Sequence, residues 1–273
     1  MCLQMSSHFL SYASSFRCVI IRAALIQIDL QKTKAEAIEH ILKMLKKASS
    51  SDSDIVCLPE LWYSKPIANF EEEFERIIYA AEENNMTIVP GAFLEKIDNN
   101  LHVSCPVIAD NGRILGRQFK LHPFGAQKKA VKAGAKAELF ESGKFRFGIG
   151  ICYDIVFPEV ARALVRKGAD MLFFPSRIRY EGIKPWHMYV QVRALENRVP
   201  IAAPNVCGNN ILYKGRSIFV DFDYDNKTDI ASPKIVMGSS VREQILVLDI
   251  DLNSVRRIHR KRFQDFRNSY DSL

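Results

Sequence analysis

Residues 145–159 read FRFGIGICYDIVFPE. Phe145, Phe147, Ile149 and Ile151 alternate with Arg146, Gly148 and Gly150, the period-two pattern of a strand with one apolar face. Its other face carries no side chain at two successive positions, Gly148 and Gly150, which admits the close approach of another backbone or a ligand. Pro158 suits the first turn of a helix running to Lys167. Cys152 therefore falls just past a strand end, in the connection to a helix, where α/β sheets place their ligands. A free thiol, with a pKa of about 8.5, needs a base or a partial positive charge to act as a nucleophile near neutrality. The turn also offers backbone N–H groups, that of Tyr153 first, to a developing oxyanion. Alone, the stretch reads equally well as a buried cysteine in a tight turn.

Outward from this strand, apolar runs alternate with segments of helical period, the pattern of an α/β protein. The run 19–28 reads as a first strand. Residues 32–48 follow as a helix, with Ile38, Ile41, Leu42 and Leu45 on one face. Strands are expected over 54–58 and 87–93, with a helix over 71–84 between them. Residues 103–119 read as a hairpin turning on DNGR (Asp110–Arg113). After Cys152 come a strand at 170–174, a helix at 185–197, and strands at 200–203, 217–221 and 245–250. No internal repeat or linker interrupts the order, so one domain over 18–255 is expected. Residues 1–17 are expected to be an extension, disordered or a non-native start, and 256–273 a tail.

Composition narrows the classes. The chain has 273 residues, 48% of them hydrophobic and 25% charged, ordinary for a globular protein. No run approaches the roughly 20 apolar residues of a membrane span, so no membrane association is expected. The first residues lack the basic opening of a secretory signal. Six scattered cysteines without a C-x-x-C pair argue against a zinc site and against a disulfide scaffold. A reducing, cytoplasmic setting follows. The net charge of +7 is mild. The basic run Arg256–Arg267 is interrupted by Phe263, Asp265 and Phe266, so nucleic-acid binding is not expected.

A nucleophilic cysteine needs partners. None of the six histidines lies in a protease-type signature. Glu60, in SDIVCLPELW, follows a buried strand and a proline, and Lys120, in GRILGRQFKLHPFG, closes another strand. Read singly, each is a loop carboxylate or a solvated lysine. Delivered by three strand ends to one rim, Glu60 would be a base, Lys120 a fixed cation and Cys152 the nucleophile.

LPELW, GRQFKLH and GICYDIVFPE, in this order, resemble the motifs of the nitrilase superfamily of carbon–nitrogen hydrolases. The segment Trp186–Asn205, Gly215 and Ser217 in KGRSIFVDF, and the closing ILVLDIDLNSVRRIH are similar to it too, so the likeness spans residues 20 to 270. It implies a four-layer α-β-β-α sandwich, a Glu60–Lys120–Cys152 triad and no metal or organic cofactor. It further implies that Glu60 takes the thiol proton, Cys152 attacks the carbon, Lys120 and the Tyr153 N–H hold the oxyanion, and water activated by Glu60 hydrolyses the thioester. It also implies a homodimer or larger homo-oligomer, with the tail near the subunit interface.

Two positions depart from the family pattern. Where many members carry a second glutamate after the lysine, counting back from Gly134 gives Gln127, which removes a negative charge beside Lys120. In FPSRIRYEG, Arg177 and Arg179 stand where relatives have small or apolar residues, and guanidinium groups there suit a substrate carboxylate. The expected activity is cleavage of a small linear amide, an ω-amide or an N-carbamoyl amine, ahead of a nitrile. The competing expectation is a catalytically weak binding protein on the same scaffold.

Overall fold

A computed structural model describes residues 19–143, 145–208 and 212–265. The expected extension at 1–17 lies outside the described residues, as does the end of the tail. The first half runs β1 (Ile20–Gln27), α1 (Lys34–Ser49), β2 (Ile55–Cys57), α2 (Phe70–Glu73), α3 (Glu75–Glu83), β3 (Thr87–Val89), β4 (Phe93–Ile97), β5 (Asn100–Ile108) and β6 (Ile114–Phe119). The second runs α4 (Gln127–Ala130), β7 (Leu139–Ser142), β8 (Phe145–Ile149), α5 (Pro158–Arg166), β9 (Met171–Phe173), α6 (Ile183–Asn197), β10 (Ile201–Ala203), β11 (Ile218–Asp225), β12 (Ile230–Met237), β13 (Gln244–Asp251) and α7 (Leu252–Gln264).

Two sheets result. One has the order β13-β1-β2-β3-β5-β4, with β6 also paired to β5; the other has the order β12-β11-β10-β9-β8-β7. Each has a parallel centre, β1-β2-β3 and β8-β9-β10, flanked by antiparallel strands. The pleat explains the layering. On β1, Ile21, Ala23 and Leu25 face the second sheet, where Phe147, Ile149, Phe173 and Phe219 meet them in one apolar cluster. The alternate residues Ala24 and Ile26 pack with Ile41 and Leu45 of α1 and Ile77 of α3. Beyond the second sheet, Leu172, Ile201 and Val220 pack with Leu164 of α5 and Val190 of α6. Helices thus cover both outer faces, giving the α-β-β-α sandwich expected from the resemblance.

Local chemistry sets the boundaries. A capping box starts α1: Thr33 Oγ1 accepts the Glu36 N–H and Glu36 Oε2 accepts the Thr33 N–H, at 3.2 and 3.1 Å. The DNGR turn forms as read, with Gly112 at φ +76° and Asn111 Oδ1 accepting the Arg113 N–H at 3.1 Å. The helix expected over 71–84 is broken at Phe74, whose backbone leaves helical geometry while its ring packs 4.9 Å from Phe93 and 5.4 Å from Trp62. The strand expected over 87–93 is only Thr87–Val89, with Phe93 opening a separate strand, and β4, β7 and β12 are strands beyond those expected. A basic stretch that begins at Arg256 is largely helical: α7 starts at Leu252, buries Val255 and Ile258, and pairs Arg256 with Asp170 through two 2.7 Å contacts.

Gly148 and Gly150 turn out to make room for side chains, not for a ligand. A Cβ at Gly148 would lie 2.8 Å from Leu164 of α5, and one at Gly150 would lie 2.3 Å from the Phe174 ring. Because that Cβ would overlap the Phe174 ring, Gly150→Ala is expected to cost about 1–3 kcal/mol through overpacking. Urea denaturation checks this, and an unchanged midpoint would mean that the Phe174 ring rotates away freely.

Candidate active site

Glu60 sits three residues past β2. The Leu58 N–H donates to Val89 O at 2.9 Å, prolonging the sheet, and after Pro59 the Glu60 N–H donates to Ser176 O at 3.2 Å, across to the second sheet's loops. Leu61 has φ +50°, and its N–H donates to Ala92 O at 2.8 Å. The facing loop needs Gly91 (φ +88°), where a Cβ would lie 2.0 Å from Pro59 O. Lys120 follows β6 directly: its N–H donates to Val103 O at 2.9 Å and its C=O accepts the Gly134 N–H at 2.8 Å. Since β3 and β5 run antiparallel, and β5 and β6 do too, β6 delivers Lys120 to the same edge as β2 delivers Glu60. The two side chains meet there, Lys120 Nζ to Glu60 Oε1 at 2.7 Å, and both residues are 2% exposed.

Cys152 opens a five-residue 3-10 segment, Cys152–Val156, between β8 and α5. Its φ of +51° is unfavourable for a residue with a Cβ, a strain of the order of 1–3 kcal/mol that proteins hold mainly at functional positions. The Cys152 N–H donates to Pro175 O at 3.0 Å, which fixes the turn on the second sheet. Burial pushes the thiol up to about 12, and the Glu60 carboxylate adds to the rise, while the Lys120 ammonium and the Arg177 backbone N–H oppose it. Burial works against the Lys120 ammonium, yet the Glu60 carboxylate beside it holds its pKa above the ordinary lysine value. The site thus sets the Lys120–Glu60 salt bridge beside a thiol whose ionisation burial disfavours.

Asp154, which none of the sequence expectations includes, is fully buried. Its carboxylate accepts the N–H groups of Ile151 at 2.9 Å, Leu121 at 3.2 Å and His122 at 2.8 Å, and lies 3.0 Å from His122 Nδ1. One side chain therefore ties the cysteine turn to the two residues after Lys120. Burial raises its pKa against these hydrogen bonds. The available signal was a carboxylate inside the apolar turn CYDIVF, which burial would oblige to find donors. Arg193, buried on α6, braces the same turn, with Nε donating to Ile155 O at 3.1 Å and Nη2 to Val156 O at 2.7 Å.

Glu60, Lys120 and Cys152 line one cavity of about 580 Å³, together with Tyr153, Gln127, Arg177 and Arg179. All seven residues singled out from the sequence thus meet, on different terms. Gln127 begins α4, and its Oε1 accepts the Phe124 N–H at 3.2 Å, so its carboxamide stabilises its own turn. Arg177 Nη1 donates to Leu61 O at 3.3 Å, and its guanidinium lies 4.7 Å from the Tyr213 ring centre. Arg179 is exposed and lies 3.7 Å from Glu181. Cys57 and Cys105 are enclosed in the core, and burial raises both thiols. Among the described residues, no group of three or more His, Cys, Asp and Glu side chains could hold a metal ion.

With this geometry in place, the comparisons with known proteins are decisive for the family. The model of the carbon–nitrogen hydrolase family matches residues 22–260. The chain belongs to that family. An omega-amidase, NIT2 of Xenopus tropicalis, is 25% identical over 258 residues, 87% of this chain and 91% of the relative. A carbon–nitrogen hydrolase from Helicobacter pylori G27 shares the fold with a TM-score of 0.78 at 23% identity, over 92% of this chain and 97% of that one. Saccharomyces cerevisiae Nit3, a member of branch 10 of the nitrilase superfamily, shares it with a TM-score of 0.75 at 21% identity, over 93% and 97%. The protein is a hydrolase of carbon–nitrogen bonds other than peptide bonds.

Two stability experiments follow from the buried charges. Lys120→Met leaves the Glu60 charge without its counter-ion and is expected to cost about 3–5 kcal/mol, much of it regained in Lys120→Met/Glu60→Gln; thermal denaturation of the three proteins reads the difference. Asp154→Asn turns an amide NH₂ toward converging N–H donors and is expected to cost about 1–3 kcal/mol, more than His122→Phe, which removes one of the four contacts. Equal urea midpoints for these two variants would contradict the bridging role of Asp154.

Proposed function

We propose that the protein is an amidase that hydrolyses small linear amides, ω-amides of carboxylic acids foremost, with Cys152 as nucleophile. The reading is carried by the 2.7 Å contact between Lys120 Nζ and Glu60 Oε1 on the wall of the cavity that Cys152 also lines. Because burial favours the neutral thiol, attack requires proton transfer as the S–C bond forms, and Glu60 is the carboxylate whose charge it feels most strongly. Glu60 takes that proton and passes it to the departing ammonia. Lys120 and the Tyr153 N–H stabilise the tetrahedral oxyanion. Water, deprotonated by Glu60, then cleaves the thioester and restores the thiol. Arg177 and Arg179 contact the far end of the substrate, and Gln127 shapes the rim. The omega-amidase activity named for the Xenopus relative supports an amide over a nitrile. The chain acts in the cytoplasm as a homo-oligomer, with residues beyond 255 near the subunit contact.

Ammonia release from a panel of small amides is expected from the wild type, and to fall about 10⁴-fold or more in Cys152→Ala. A full rate in that variant would sink the mechanism. Glu60→Gln is expected to lose about 10²- to 10⁴-fold in hydrolysis. Yet it removes a charge that raises the thiol pKa, so Cys152 should alkylate at lower pH than in the wild type. Slower alkylation in Glu60→Gln at every pH would exclude that role for the carboxylate.

A further inference from the structure

We infer that the substrate is an ω-amide whose acyl portion is both anionic and bulky, carrying an aryl or similarly large flat apolar group; this rests on the amidase reading above and deepens it. Size is the first ground. The half-amide of a four-carbon diacid has about eight non-hydrogen atoms, far fewer than the drug-sized ligands that cavities of about 300–1,000 Å³ enclose. This cavity measures about 580 Å³.

The second ground is its wall. Phe124, Tyr153, Trp186, Tyr189 and Tyr213 line it from four separate segments of the chain. Phe124 is 58% exposed, and its ring lies 4.7 Å from that of Tyr153, leaving much of an apolar ring uncovered at the rim. Aromatic surface held open to water in this way favours a flat apolar group that would cover it.

The third ground is charge. Lys120 is paired with Glu60, and Arg179 has Glu181 nearby. Arg177 lines the same cavity between a backbone carbonyl and the Tyr213 ring, with no carboxylate partner among the described residues. Gln127, on the same wall, is neutral and adds no opposing charge. The cavity therefore carries one cation in excess, on the residue whose own N–H faces the Cys152 thiol. During turnover the S–C bond forms, the C–N bond breaks and ammonia leaves, after which water replaces sulfur. The acyl group remains in the cavity through both steps, so a wall that grips it acts on both.

Four amides separate the terms: butyramide, 4-phenylbutyramide, succinamate and 2-benzylsuccinamate. Their binding to Cys152→Ala, measured by calorimetry, needs no turnover. The phenyl group is expected to tighten binding roughly 10- to 100-fold in both pairs. The carboxylate should tighten it as well, and Arg177→Met in the same background should remove that gain while leaving the phenyl gain. Phe124→Ala, at an exposed position that does not threaten the fold, should narrow the phenyl gain. Phenyl amides that bind no tighter than their parents, or a carboxylate gain that survives Arg177→Met, would overturn the inference. Ammonia release by the wild type reads the amidase proposal separately: turnover without ring preference overturns only this inference, and ring- and carboxylate-dependent binding without turnover overturns only the amidase.

Discussion

A lysine and a glutamate meet at 2.7 Å with almost no access to water, and much of the structure around them serves to keep that contact in place. Taking either charge out of solvent alone is costly, so each tolerates burial only beside the other. The pair does not come from one element. Glu60 hangs on a loop locked by Gly91 and anchored to Ser176, while Lys120 is held between Val103 and Gly134 at the end of β6. Its electrostatics set the state of Cys152, whose thiol feels a carboxylate that raises its pKa and an ammonium that lowers it.

The site exists because two sheets stack with their strand ends at a common edge. Glu60 and Lys120 belong to the first sheet and Cys152 to the second, and loops, not the apolar interface, carry the contacts that register them. The Glu60 N–H reaches Ser176 O, Arg177 Nη1 reaches Leu61 O, and Asp154 collects the N–H groups of Leu121 and His122. Positive φ values fall at Leu61 and at Cys152, on either side of the seam. At these two residues the chain holds an unfavourable backbone conformation where the two halves of the site face each other, and the apolar packing between the sheets supplies stability that holds them there.

Where sequence reading fell short, tertiary packing overrode a local rule. Residues 70–83 carry helical periodicity, yet the buried ring of Phe74 draws its backbone out of the helix toward Trp62 and Phe93. Gly148 and Gly150 announced a close approach, but only the packed structure names the visitors as Leu164 and Phe174. β7 is four residues long, and β12 alternates weakly because most of it is exposed, so neither gives a readable apolar face. Asp154 and Arg193 are polar residues in apolar surroundings, but the partners that tie them to other segments lie about 30 to 40 residues away, beyond the reach of local pattern.

The sequence alone determined the α/β class, most of the strands and the three residues at their ends, because a strand's apolar alternation and the chemistry that follows it are local properties. It also carried the ordered motifs that imply the sandwich. Tertiary structure decided what distance in sequence conceals: that Glu60 and Lys120, 60 residues apart, form a buried pair, that a left-handed turn presents Cys152 to their cavity, and that Asp154 bridges the two sheets. It also decided that Gln127 spends its carboxamide on its own turn while Arg177 is left facing the cavity without a counter-charge among the described residues. Burial and pairing depend on which strands are neighbours, and the layering of the two sheets sets that.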